Sequence, residues 1–166
     1  MRGSIEVHRY LTERGIPHEF YRLDRPLRRL EEAADLLDLK PSQVVIAKLF
    51  ETAQVPVLAL SSAAAKPTAA GVVKAMGDGH VRAATSSRVT EHTGFLAQWL
   101  PPVGHEQASR ALLEASLAES DVLYAAGGDP GVMLVIRAAD LIRATSATAA
   151  NLVAPAPALD PSLLAG

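Results

Sequence analysis

The sequence predicts an α+β domain, because short strands alternate with short helices and adjacent strands pair mostly antiparallel. Two observations carry this. Gln43 to Phe50 and Val55 to Leu60 are rich in Val, Ile and Leu and are separated by a short polar link, the pattern of an antiparallel pair. Asp121 to Ala126 and Val132 to Arg137 form a second pair around Gly127-Gly-Asp-Pro-Gly131, a loop rich in residues that tolerate positive φ.

The remaining elements follow in chain order. Ser4 to Arg14 reads as a helix, since Val7, Tyr10 and Leu11 share a face at i, i+3, i+4 spacing and Gly15 stops it. Ile16 to Leu23, with Pro17 near its start and Phe20 at its centre, reads as an edge strand. Leu30 to Leu39 predicts a helix with Leu30, Ala33, Ala34 and Leu37 inward and Glu31, Glu32 and Asp35 facing water, ended by Lys40-Pro41-Ser42. Ser61 to Pro67 is a small-residue loop, Thr68 to Met76 a helix stopped by Gly77, and Asp78-Gly79 a turn. His80 to Ala84 is a short strand, and Thr85 or Ser86 caps a helix running through His92. Ser109 to Leu117 looks helical by local propensity, and Ala138 to Thr145 is a helix. These elements predict one domain over residues 1–153, followed by a flexible Pro- and Ala-rich tail, 154–166.

Composition excludes several functions. With 166 residues the chain is one domain by size, with enough apolar side chains for a core. There is no Cys, which removes disulfides, thiolate nucleophiles and Cys-based zinc sites, and fits a reducing cytoplasm. No apolar run is long enough to span a bilayer and no signal-peptide pattern is present, so no membrane partner and a cytoplasmic location are expected. A formal charge of −2 argues against holding nucleic acid by bulk electrostatics. Arg22, Arg25, Arg28 and Arg29 nevertheless cluster, and either contact phosphates or form a solvated loop. The serines and histidines show no nucleophile elbow, and His80 and His92 lack the HExxH spacing, so neither a Ser-His-Asp triad, a metal site nor a cofactor is expected.

Two places remain for chemistry. Lys48 lies among Ile46, Ala47, Leu49 and Phe50, where an amine must reach a cavity or snorkel to the surface. Thr93 to Gly104, TGFLAQWLPPVG, holds the only Trp, and Pro101-Pro102 keeps it out of helices and central strands. It either lines a pocket or is a rigid connector whose Trp99 plugs the core.

The Ala47-Lys48 pair, the TG…PPVG segment, the AGG-x-x-G turn and the ADLIRAT helix occur in an order that resembles the YbaK/ProX-like family. These are free-standing aminoacyl-tRNA deacylases related to the editing domain of bacterial prolyl-tRNA synthetase. The resemblance extends to about Leu152 and implies a compact mixed, mostly antiparallel sheet or barrel flanked by helices. It also implies a strand over Arg110–Leu113, against local propensity, with a turn or short helix from Glu114. The implied substrate is the aminoacyl-tRNA acceptor end, with an aminoacyl-tRNA synthetase as a possible second partner, and the implied reaction is hydrolysis of a mischarged ester. Lys48 takes the role of the family's pocket lysine. Backbone amides of Gly127, Gly128 and Gly131 and of the Pro102–Gly104 region hold the ester carbonyl, and the substrate's ribose hydroxyl assists the water. Gly94, Gln98, Trp99, Pro101, Pro102 and Gly104 line the substrate site. Asp140 either borders the pocket or caps its helix.

The chain departs from that family's pattern at three places. Gln98-Trp99 replaces a usual Gly-Gly, Ala126 stands where Ser is frequent, and Leu49 where Thr is common. Each removes a small polar or Gly position from the implied pocket. They leave a second reading open, a non-catalytic module of the same fold that binds an aminoacyl-tRNA end or a synthetase.

Overall fold

The computed structural model describes residues 1–77 and 79–153, and the predicted tail lies outside them. Five strands form a sheet in the order β4-β2-β3-β5-β8, and three form another in the order β1-β7-β6. The strands are β1 (Glu19–Arg22), β2 (Val45–Glu51), β3 (Val57–Ser62), β4 (Arg82–Ala83), β5 (Arg110–Glu114), β6 (Val122–Ala126), β7 (Val132–Arg137) and β8 (Thr148–Ala150). The helices are α1 (Ser4–Glu13), α2 (Ala33–Leu36), α3 (Ala69–Met76), α4 (Ser86–Thr93) and α5 (Ala138–Thr145). A parallel bridge between Val44 and Tyr124 ties the two sheets together at one corner. The predicted α+β class is the observed one.

Both predicted hairpins form. β2 pairs antiparallel with β3, setting Lys48 opposite Ala59, and β6 pairs antiparallel with β7. β5 is extended, as the family resemblance implies, and a 3-10 turn over Ala115–Glu119 follows it. Tertiary context overrides propensity there: β5 lies parallel between β3 and β8, and Ala111, Leu112 and Leu113 are all buried. β8 has no counterpart in the sequence analysis, because Thr148–Ala150 is short and carries no alternation of polar and apolar residues.

The predicted helix over Leu30–Leu39 forms in part. A 3-10 turn over Leu30–Glu32 runs into the single turn of α2. The helix ends at a left-handed residue, Asp38 (φ 53°), and the Leu39 N–H closes back on the Ala34 carbonyl at 2.7 Å. Asp tolerates that conformation better than most residues, so a C-terminal cap forms without the expected glycine. By contrast α3 and α4 follow their signals. Thr68 Oγ1 accepts the Gly71 N–H at 2.9 Å and Thr85 Oγ1 accepts the Arg88 N–H at 3.3 Å.

Strand alternation divides the interior. Val45 and Leu49 of β2 face the main core with Val7, Leu11, Leu60, Phe95, Leu113, Leu134 and Leu141, which joins both sheets to α1 and α5. The opposite face of β2 is covered by two smaller clusters. Ile46 packs under the Leu30–Ala34 segment with Trp99, whereas Phe50 packs under α3 with Val72 and Leu152. Lys48 lies between them.

Candidate functional site

The alternation of β2 decides where Lys48 goes. Its side chain leaves the sheet on the face shared with Ile46 and Phe50, at the gap between the two smaller clusters, and is exposed. The Nζ lies 5.5 Å from the Phe50 ring centroid, and no described carboxylate pairs with it. An unpaired ammonium over an aromatic face on an otherwise apolar strand is available to an anion or a carbonyl oxygen.

A cavity of about 140 Å³ lies against this stretch of β2, lined by the two residues before Lys48 and not by Lys48 itself. Its walls come from Ile46 and Ala47 of β2, from Arg29, Leu30 and Glu31, and from Ala97, Gln98 and Leu100. The Thr93–Gly104 segment thus both lines a pocket and plugs the core. A 3-10 turn over Ala97–Trp99 turns the exposed Gln98 toward the cavity and buries Trp99 at 3 % exposure. Trp99 shares its cluster with Leu23, Leu27, Leu30, Val44, Ala126 and Met133. Ala126 and Trp99, two of the departures from the family pattern, therefore meet in one patch of core rather than in the cavity.

The glycine loops make contacts within the chain itself. The Gly127 N–H already donates to the Val132 carbonyl at 2.8 Å, closing the β6–β7 hairpin, so it offers no free donor. Gly128 (φ +111°) is pressed against the start of α1, where an added Cβ would lie 2.7 Å from the Gly3 carbonyl carbon. That close approach is why glycine is required. Asp129 completes the junction: its Oδ2 accepts the Ser4 N–H at 3.1 Å and the Ser4 hydroxyl at 2.6 Å. Gly131 gives its carbonyl to the Leu23 N–H at 2.8 Å.

Gly94 and Gly104 belong to the same junction. The Gly94 carbonyl accepts the Arg2 N–H at 2.9 Å, and the Arg2 guanidinium donates to the Gly104 carbonyl at 3.2 Å. Pro101 and Pro102 are buried, and the Pro101 carbonyl accepts from His105 Nε2 at 2.7 Å. Of the expected site residues, then, the structure brings Gln98 to the cavity that Ile46 and Ala47 line, and Lys48 lies next to them along β2 without lining it. It gathers Gly94, Gly104, Gly127 and Gly128 around the N-terminus of α1 and places Trp99 in the core. Asp140 is neither the helix cap, which is Arg137, nor tied to the cavity; it pairs with Arg143 at 3.4 Å in the first turn of α5.

Charge is distributed unevenly around the site. Burial pushes the His105 imidazole down to about 4, against the opposing effect of its bond to Pro101, so it is neutral at physiological pH with the proton on Nε2. Arg22, Arg25, Arg28 and Arg29 are all exposed, and none pairs with a described carboxylate. A larger cleft of about 740 Å³ lies beyond the end of β2, but its charges compensate one another. Glu51 there is held below the usual carboxylate range by hydrogen bonds from Arg88 and Arg82. Among the described residues no three His, Asp or Glu side chains converge as a metal site.

Sequence reasoning misses Glu31. Helical periodicity puts it on the water-facing side, but the first turn is 3-10 and brings it to the cavity wall, 3.1 Å from Lys66 Nζ. Only the position of that turn reveals it.

Known structures share this architecture. The chain is similar to a protein proposed to be a trans-editing enzyme for prolyl tRNA synthetase, with 27 % identity over 92 % of this chain and 97 % of that one and a TM-score of 0.84. It also shares the fold of the hypothetical protein APE2540, with 23 % identity over 90 % and 99 % of the two chains and a TM-score of 0.83. The fold is thus that of trans-editing proteins, an α+β domain of mixed sheets flanked by helices. Residues 24–144 match the aminoacyl-tRNA editing domain, and the chain belongs to that family. The resemblance to YbaK/ProX-like proteins is borne out. No curated protein matches the chain in sequence. Among the described residues no helix is long and apolar enough to cross a membrane.

Proposed function

We propose that this editing domain is a trans-acting deacylase that hydrolyses the ester of mischarged aminoacyl-tRNA, of the prolyl-tRNA editing type. The observation that carries the reading is the unpaired, exposed Lys48 amine on the strand whose Ile46 and Ala47 line the same cavity as Gln98. Ester hydrolysis needs a bound water, a proton acceptor and donors aimed at the tetrahedral oxyanion. The Gln98 carboxamide and the Arg29 guanidinium are donors among the residues lining the cavity, Lys48 adds an unpaired ammonium from the neighbouring strand position, and the Gly127 amide is engaged in its hairpin. The water oxygen adds to the ester carbonyl carbon, the acyl–oxygen bond breaks, and the water's proton passes to the departing ribose oxygen. In this reading the substrate's neighbouring ribose hydroxyl relays that proton, the role that the family resemblance implies. The exposed Arg25, Arg28 and Arg29, close in sequence to the cavity wall, supply charge for acceptor-stem phosphates.

The test is deacylation of a panel of mischarged tRNAs by wild type and Lys48→Ala. Hydrolysis of one or more panel members, reduced about 10²-fold or more in Lys48→Ala, supports the reading. Unchanged hydrolysis removes the lysine from the mechanism. No hydrolysis across the panel, with retained binding, makes the chain a recognition module of the same fold.

A further inference from the structure

We propose that Glu31 recognises the free α-ammonium group of the aminoacyl ester and so makes the site selective for unblocked aminoacyl-tRNA. This rests on the deacylase reading above. An aminoacyl ester carries one cation close to its scissile bond, and a carboxylate on the cavity wall is the complementary group.

The cavity leaves few alternatives. At about 140 Å³ it is well below the roughly 300–1,000 Å³ of ordinary small-molecule pockets, so it admits only a few non-hydrogen atoms. Ile46, Ala47, Leu30, Ala97 and Leu100 give it apolar walls, and Glu31 is the one carboxylate among its lining residues. An ammonium drawn into that space loses hydration, and Glu31 is the group placed to replace it.

Glu31 is also free to do so. Its side chain is 28 % exposed, and its Oε1 pairs with Lys66 at 3.1 Å. Oε2 takes no hydrogen bond from any described residue, although an ionised carboxylate offers about four acceptor positions. Lys66 is 55 % exposed on a loop, and such a surface pair is weak enough for a ligand cation to share or displace it. Arg29 on the same wall carries the opposite charge and suits a phosphate rather than the ammonium.

The experiment compares alanyl-, seryl-, cysteinyl- and prolyl-tRNA with their N-acetylated forms, using wild type, Glu31→Gln, Glu31→Asp and Lys66→Ala. Wild type is expected to hydrolyse its best free-amine substrate about tenfold or more faster, in kcat/KM, than the acetylated form, the size of one charge-assisted hydrogen bond. Glu31→Gln lowers kcat/KM for the free-amine form to about that of the acetylated form, and Glu31→Asp restores part of the difference. Lys66→Ala keeps the discrimination. A structural role for Glu31 would lower both substrate forms equally and leave their ratio unchanged, which overturns the proposal. So does equal hydrolysis of both forms by wild type, while the deacylase reading survives. Absence of hydrolysis for every probe overturns the deacylase reading itself.

Discussion

Replacing Trp99 by Ala separates a core plug from a pocket gate. Trp99 is 3 % exposed and packs among Leu23, Leu27, Leu30, Val44, Ala126 and Met133. Removing a buried Trp side chain costs about 3–5 kcal/mol, the lost transfer energy plus the void left behind. In a domain of this size each kcal/mol moves the Tm by roughly 2–4 °C, so Trp99→Ala is expected to melt on the order of 10 °C below wild type. Gln98→Gly is the matched control: Gln98 is exposed, so its loss costs less than about 1 kcal/mol while widening the cavity it lines. Urea titration followed by circular dichroism measures both. The Gln98→Gly transition can also be read from emission of Trp99, the only Trp in the chain. A Trp99→Ala variant within about 1 kcal/mol of wild type refutes the core assignment.

Three other outcomes are expected. His105 titrates at about 4 when folded and near 6.5 when unfolded, so the unfolded chain binds the extra proton as pH falls between those values. Stability is therefore complete above about pH 6.5 and falls by roughly 3 kcal/mol toward pH 4; His105→Gln should flatten this part of a Tm-versus-pH profile, and an unaltered slope contradicts the assignment. Gly128→Ala is expected to cost about 2–4 kcal/mol in chemical denaturation, from left-handed strain and collision with Gly3, and a neutral result would show the junction to be loose. Alanine at Arg25 or Arg28 should lower the slope of log Kd for tRNA against log salt by about 0.7–0.9 for each phosphate the arginine neutralises, and an unchanged slope makes that arginine a bystander.

The sheets are legible in the sequence because their signals are local and redundant. Val and Ile runs with a short link specify β2 and β3, and a Gly-rich turn between apolar runs specifies β6 and β7. The Leu30–Leu39 helix is shorter than its pattern suggests, because its first turn is 3-10 and it ends before Asp38, a left-handed residue with no sequence signature comparable to glycine. The site is legible only in part. Lys48 and Gln98 stand out as a cation in an apolar strand and as a departure from a Gly-Gly pattern. The glycines look like a substrate cradle, yet whether a glycine makes room for a ligand or for another stretch of the same chain depends on what packs against it. Here that neighbour is the segment around Gly3, 125 positions from Gly128 in sequence. Glu31 is hidden for the same kind of reason, since its direction follows from a turn that only the packed protein defines.

The junction at Ser4 also dictates an order of events during synthesis. The acceptor of Ser4, Asp129, emerges from the ribosome 125 residues after it. Until the β6–β7 hairpin is available, α1 has no acceptor for its leading amide and the core that seats Val7 and Leu11 lacks Leu123, Leu134 and Ile136. α1 is thus among the last of the described elements to dock, since its closure waits on a hairpin far downstream of it.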